Sequence, residues 1–215
     1  MPENSVGSRS QILERIQTAL KKPSPTRPEV KLPPIFAPVT NPLERFQQEC
    51  AGIQVECVLT DDLAESRAAV EKALTAVPAG EMFVQDAPEL RKLAEGWSVE
   101  RPLKWSSQGA PPETTQVTLT KAEALVALTG SIVTSASCGG RGASAVPDCH
   151  IVWAKAEQIV PDLETALAQV VERGTAQANS YVGLITGSSR TADIEKILVL
   201  GAHGPRRVVV VVQRQ

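Results

Sequence analysis

Apolar positions along the chain change rhythm more than once. Ile12, Leu13, Ile16, Ala19 and Leu20 recur at the intervals of one helix face, and Ser8 or Ser10 can cap it. Residues 8–21 are therefore expected to be helical. The rhythm then stops, because seven prolines lie between Pro23 and Pro42. Proline fixes φ and has no amide to donate, so this stretch reads as an extended arm. Residues 1–42 thus form an N-terminal helix and Pro-rich arm, and residues 43–215 a separate α/β domain.

From Leu43 onward the two periods alternate. Leu43–Ala51 reads as a helix and Gln54–Leu59 as a strand. Asp61 or Asp62 caps a helix that runs to about Val77, with Leu63, Ala69, Val70, Ala73 and Leu74 facing inward. Glu81–Val84 is a short strand and Pro88–Glu95 a short helix, whereas residues 96–112 show no clean period. Gln116–Leu119 reads as a strand, Lys121–Ala127 as a helix capped by Thr120, and Gly130–Thr134 and His150–Ala154 as strands. Pro161–Arg173 reads as a helix opened by Pro161 and closed by Gly174. Tyr181–Ile185 is a strand and Ala192–Leu198 a helix. The consecutive valines Val208–Val212 suit a strand buried on both faces. The alternation predicts a mainly parallel sheet flanked by helices.

Composition narrows the function classes. The chain is 42% hydrophobic with a net charge of −2, so nothing points to nucleic acid or an anionic lipid surface. Aromatics are only 3%, which leaves the core to Val, Ile, Leu and Ala. No apolar run reaches the ~18 residues of a membrane span. The first 22 residues lack an apolar signal block, so a cytoplasmic protein with no membrane span is expected. Cys50, Cys57, Cys138 and Cys149 form no C-x-x-C pair or ferredoxin-like run, and read as reduced thiols. Cys138 with Cys149 and His150 lacks a metal-ligand spacing, so no metal site is assigned.

Three segments carry candidate chemistry. Thr186-Gly187-Ser188-Ser189-Arg190-Thr191-Ala192-Asp193-Ile194-Glu195 follows a strand and opens a helix. Its amides, hydroxyls and guanidinium are the parts of an anion site, and ligands of open α/β sheets bind beyond the strands' carboxyl ends. A capped turn with Arg190 paired to an acidic neighbour accounts for the same residues. In Gly201-Ala202-His203-Gly204-Pro205-Arg206, His203 is of a residue type that can accept or donate a proton, but it also suits a tight surface turn. Thr129-Gly130-Ser131 and the glycine- and serine-rich run 135–144 read as loop, with Arg141 placed to close over an anion. The same run also fits a plain surface loop.

These segments resemble the signature of the lactate utilisation protein C family (LutC/YkgG, the LUD domain). Thr186–Glu195 is similar to the family's G-P-S-R-T-A-D-I-E, and Gly201–Pro205 to its G-V-H-G-P. Thr129-Gly130 before a strand and the Pro147–Ile151 approach to another complete the likeness, which spans about Ala122 to Val212. Two positions depart from the pattern. Leu128 stands where the family usually has an acidic residue, which argues against a covalent carboxylate mechanism of the CoA-transferase type. Ser188 replaces the usual proline. The resemblance implies a NagB/RpiA/CoA-transferase-like fold. It also implies a subunit of an L-lactate oxidation system, lactate to pyruvate, that acts with iron–sulfur partner proteins. The chain would be a non-autonomous component of an iron–sulfur L-lactate dehydrogenase complex. No cofactor is then expected in this chain, and the iron–sulfur clusters are expected on the partner subunits.

On this reading His203 is the catalytic candidate. A small carboxylate substrate would be held by Thr129, Gly130, Arg141, Gly187, Ser188, Ser189, Arg190, Thr191, Asp193 and Gly204. Two alternatives stay open: a stand-alone isomerase or CoA-transferase-like enzyme on a phosphorylated or acyl metabolite, and a non-catalytic small-anion-binding scaffold.

Overall fold

The computed structural model describes residues 5–21, 36–109, 112–191, 199–201 and 203–215. It divides into two units, 1–37 and 38–215. In the first, α1 runs from Ser5 to Leu20. The expected arm falls largely on residues 22–35, outside those described, as does the expected helix Ala192–Leu198.

The second unit opens with α2 (Pro42–Gly52), β1 (Glu56–Thr60), α3 (Leu63–Leu74), β2 (Met82–Val84), α4 (Pro88–Ala94) and β3 (Leu103–Trp105). There follow β4 (Val117–Lys121), β5 (Ala124–Val126), β6 (Ser131–Ser135), α5 (Arg141–Ala145) and β7 (Cys149–Lys155). The chain ends with β8 (Ile159–Val160), α6 (Leu163–Glu172), α7 (Thr175–Ala178), β9 (Val182–Ile185), β10 (Arg190–Thr191), β11 (Val199–Leu200) and β12 (Arg207–Gln213).

Six strands form one parallel sheet in the order β1-β12-β7-β4-β2-β3. The valine run lies inside it, on β12 between β1 and β7. Val208, Val210 and Val212 face one side, Val209 and Val211 the other, and all five are buried. Burying a valine side chain contributes about 1.5–3 kcal/mol, so β12 is a main anchor of the fold. On one face α3 and α4 supply Val70, Ala73, Leu74, Leu90 and Leu93. On the other, α2 contributes Phe46 and Cys50 beside Leu125 and Ile132 of a second sheet. That sheet, ordered β8-β5-β6-β9, is covered on its outer side by Ala166 and Val170 of α6.

Local chemistry sets the helix starts. Asp62 Oδ1 accepts from Glu65 N at 2.8 Å, while Glu65 Oε2 accepts from Asp61 N at 2.8 Å. The first bond satisfies an amide that the first turn of α3 leaves free, and the second ties that turn to the residue before the cap. Asp62→Ala is expected to cost about 1 kcal/mol, measured by urea denaturation. Asp162, rather than Pro161, caps α6 through Thr165 N at 2.8 Å.

The expected helix Lys121–Ala127 is corrected by the structure. Lys121 ends β4, and Ala124–Val126 is a strand held between β6 and β8. Its three residues are fully covered, and the ladder outweighs the helix propensity of Lys-Ala-Glu-Ala-Leu. The expected loop 135–144 is likewise partly ordered: α5 begins at Arg141, and Cys138 and Ala143 are buried.

Candidate functional site

The family-like motifs meet at the amino edge of the parallel sheet. β9 lies in the second sheet, antiparallel to β6, so the turn after it is not at a carboxyl end of the six parallel strands. Thr186 instead joins a chain of hydroxyls: its Oγ1 is 2.7 Å from Ser131 Oγ, which is 2.7 Å from Thr129 Oγ1. Gly130 and Gly187 both have positive φ, 65° and 88°. A Cβ on Gly130 would lie 3.0 Å from Cys50 N, and one on Gly187 3.0 Å from the Ile53 carbonyl oxygen. Arg190 Nη2 donates to that same carbonyl. Two Thr-Gly turns and one guanidinium thus wrap the end of α2.

Ser189 links this wrap to the histidine turn. Its amide donates to Pro205 O at 2.8 Å, and its carbonyl accepts from Gly201 N at 2.8 Å. Its Oγ accepts from His203 N at 3.3 Å. A Cβ on Gly204 would lie 3.2 Å from Ser189 Cβ, so glycine allows the two turns to touch. Together they form a clasp. His203 is exposed on it and Ser188 is buried beneath it. The backbone of Arg190–Thr191 pairs antiparallel with Val199–Leu200. Asp193 and Glu195 lie outside the described residues.

Arg141 is placed elsewhere. Its guanidinium lies 5.1 Å from the Tyr181 ring centre, just before β9, whereas the clasp follows β9. His150 is not a surface residue: it is fully buried, with Nε2 2.8 Å from Thr120 Oγ1. Burial holds its pKa down at about 4.

The opposite edge carries a cleft that the sequence reading does not identify. At the carboxyl ends of β2, β4 and β7, Gln85, Glu89, Lys121, Glu123, Cys138, Gln158 and Arg173 line a cleft of about 460 Å³. A neighbouring lobe adds Lys155 and Glu157. Gln85 braces the floor: Oε1 accepts from Lys121 N at 2.7 Å and Nε2 donates to Ser137 O at 2.8 Å. Lys121 Nζ reaches Glu89 Oε1 at 2.5 Å, and this contact holds the Glu89 pKa below the usual carboxylate range. Glu123 Oε1 accepts from Ser135 Oγ at 2.5 Å and from Cys138 Sγ at 3.7 Å. Burial pushes the Cys138 thiol up to about 11, so near neutral pH it remains a protonated donor. At the rim Asp86 is held down at about 2 by Arg91 and by Ser107.

Such a cleft suits a polar ligand, because open α/β sheets bind beyond the carboxyl ends of their strands. Its residues are ordinary surface types scattered from Gln85 to Arg173, so no contiguous motif marks them. The available signal was the run of charged residues at three strand ends. Among the described residues no group of three His, Cys, Asp or Glu side chains is placed to hold a metal ion, and no helix is long and apolar enough to cross a membrane.

Comparison with known proteins places the chain among relatives of similar length. The LUD domain matches residues 112–212. Lactate utilization protein C of Deinococcus radiodurans is 31% identical over 212 residues, covering 93% of this chain and 94% of its own. The protein of that name from Macrococcus caseolyticus is 26% identical, covering 99% and 98%. YkgG of Escherichia coli, described as uncharacterized, is 26% identical over 94% and 96%. The crystal structure of a DUF162-family protein from Deinococcus radiodurans superposes with a TM-score of 0.62 at 22% identity. It covers 80% of this chain and 96% of that one, and supports the fold alone.

Proposed function

We propose, from the premise that this chain belongs to the lactate utilization protein C family and carries its LUD domain, that it is a subunit of an L-lactate oxidation system. The observation that carries this reading is 31% identity to a lactate utilization protein C, sustained over nearly the full length of both chains. Conversion of lactate to pyruvate releases two electrons and two protons. The electrons pass to iron–sulfur clusters on partner chains, and this chain binds the small carboxylate and shapes the assembly. The clasp supports a non-autonomous role, since Arg190 and Ser189 are engaged in holding loops together while the exposed His203 faces outward. A transferase mechanism is disfavoured by Leu128, which puts an apolar side chain where a nucleophilic carboxylate would stand.

Growth on L-lactate as sole carbon source tests the reading. Deletion of the gene is expected to abolish growth, and wild type to restore it. His203→Ala is expected to reduce restoration at normal protein levels, because the substitution removes an exposed side chain without touching the core. Undiminished growth of the deletion strain would refute the lactate role. Full restoration by His203→Ala would remove His203 from it.

A further inference from the structure

Two charged groups in the carboxyl-edge cleft are left open for a ligand. Arg173 lies just after α6, where Nη1 donates to Glu123 O at 3.4 Å and Nη2 to Gln169 Oε1 at 3.1 Å. Both acceptors are neutral, and among the described residues no carboxylate pairs with this guanidinium. Glu123 follows β4, and its described side-chain bonds all fall on Oε1, leaving Oε2 facing no described donor. The other cations differ: Lys121 is paired with Glu89 at 2.5 Å, and Lys155 lies 4.0 Å from Glu157. The cleft therefore offers one fixed guanidinium and one fixed carboxylate oxygen on a braced floor.

We propose that this cleft is the 2-hydroxy-acid site of the chain, with Arg173 taking the carboxylate of the acid and Glu123 Oε2 accepting its hydroxyl. The proposal rests on the lactate reading above and deepens it by naming the groups that recognise the substrate. A guanidinium matches a carboxylate with two parallel N–H donors. A carboxylate placed to accept a hydroxyl favours 2-hydroxy acids over acids that lack one, since the site's polar group is otherwise left unpaired. A three-carbon acid fills only part of about 460 Å³, which leaves room for the group that a partner brings to accept electrons.

Saturation-transfer NMR and calorimetric titration of the full chain with L-lactate and with propionate test this. Wild type is expected to bind L-lactate at least about tenfold more tightly than propionate. Arg173→Gln, at an exposed position, is expected to weaken both acids about tenfold or more. Glu123→Gln keeps the side chain's shape and is expected to remove the preference for lactate. The proposal is overturned if the wild type binds neither acid, or if both variants bind as wild type does. It is equally overturned if binding is lost in His203→Ala and kept in Arg173→Gln. Growth of the deletion strain separates the two ideas. Failure to grow together with normal complementation by Arg173→Gln sinks the cleft site and leaves the lactate role standing. Normal growth of the deletion strain sinks the lactate role itself, whatever the titrations give.

Discussion

Gly130→Ala is expected to lower the stability of the fold by about 3 kcal/mol, measured by urea denaturation. Two costs combine. The residue has φ 65°, a left-handed conformation that costs an alanine about 1 kcal/mol. The new Cβ would also lie 3.0 Å from Cys50 N, 3.1 Å from Glu49 C and 3.1 Å from Ile53 Cδ1. Two of those atoms are backbone of α2, which cannot move aside as the tip of a side chain can. Gly109→Ala provides the comparison. Gly109 has φ 69°, yet a Cβ there meets no atom of the described residues within 4 Å. It should lose only the backbone share, about 1 kcal/mol. Equal losses at the two positions would show that Gly130 is not pressed against α2. A stable Gly130→Ala variant that no longer bound lactate would instead make the Thr129-Gly130 turn a ligand contact. The structure favours packing: both Thr-Gly turns surround Ile53, and Arg190 secures the same carbonyl.

What was legible in the sequence is what local chemistry determines. The valine run, the Asp62-capped helix and the strand at His150–Ala154 each announce themselves within a dozen residues, and each lies where expected. Two readings needed information the local pattern does not hold. Lys121–Ala127 is composed of helix formers, and only its pairing partners β6 and β8 make Ala124–Val126 a strand. Tyr181–Ile185 reads correctly as a strand, but a strand's own residues do not say which sheet it joins. Once β9 falls in the second sheet, the turn after it lies at the wrong edge for the carboxyl-end rule.

The same reasoning explains the candidate site. Thr129, Gly130, Gly187, Ser189, Arg190 and Gly204 are dense in small and polar residues, so they stand out along the chain, and the structure does gather them. Density of glycine, however, reports close backbone approach as readily as ligand binding. Here the described hydrogen bonds run largely between the turns themselves. Glu123 and Arg173 are 50 residues apart and lie in segments with no special composition. Only the crossing from β4 into the second sheet, and the return through α6, brings them to one cleft.

His150 should make the protein sensitive to acid in a window its surface carboxylates do not cover. Its ring is completely buried, Nε2 lies 2.8 Å from Thr120 Oγ1, and Nδ1 has no hydrogen-bond partner among the described residues. Burial disfavours the imidazolium and lowers the pKa from 6.5 to about 4. Between those values the unfolded chain holds a proton that the folded chain refuses. Stability is therefore intact above about pH 6.5 and drains as pH falls toward about 4. At about 1.4 kcal/mol per pKa unit, the full loss is about 3 kcal/mol, with about 2 kcal/mol of it already gone at about pH 4.5. Carboxylates held low by partners, Asp86 by Arg91 and Glu89 by Lys121, contribute stability that is lost mainly at lower pH, as their unfolded-state groups protonate. Wild type and His150→Gln share that component. Urea denaturation of both proteins at about pH 7 and about pH 4.5 isolates the histidine. The variant is expected to be less stable than wild type near neutral pH, where glutamine must replace a packed ring, and to lose about 2 kcal/mol less on acidification. Parallel losses in the two proteins would mean that the ring is already solvated or paired in the folded state. In that case β7 would not be buried at His150 between the two sheets.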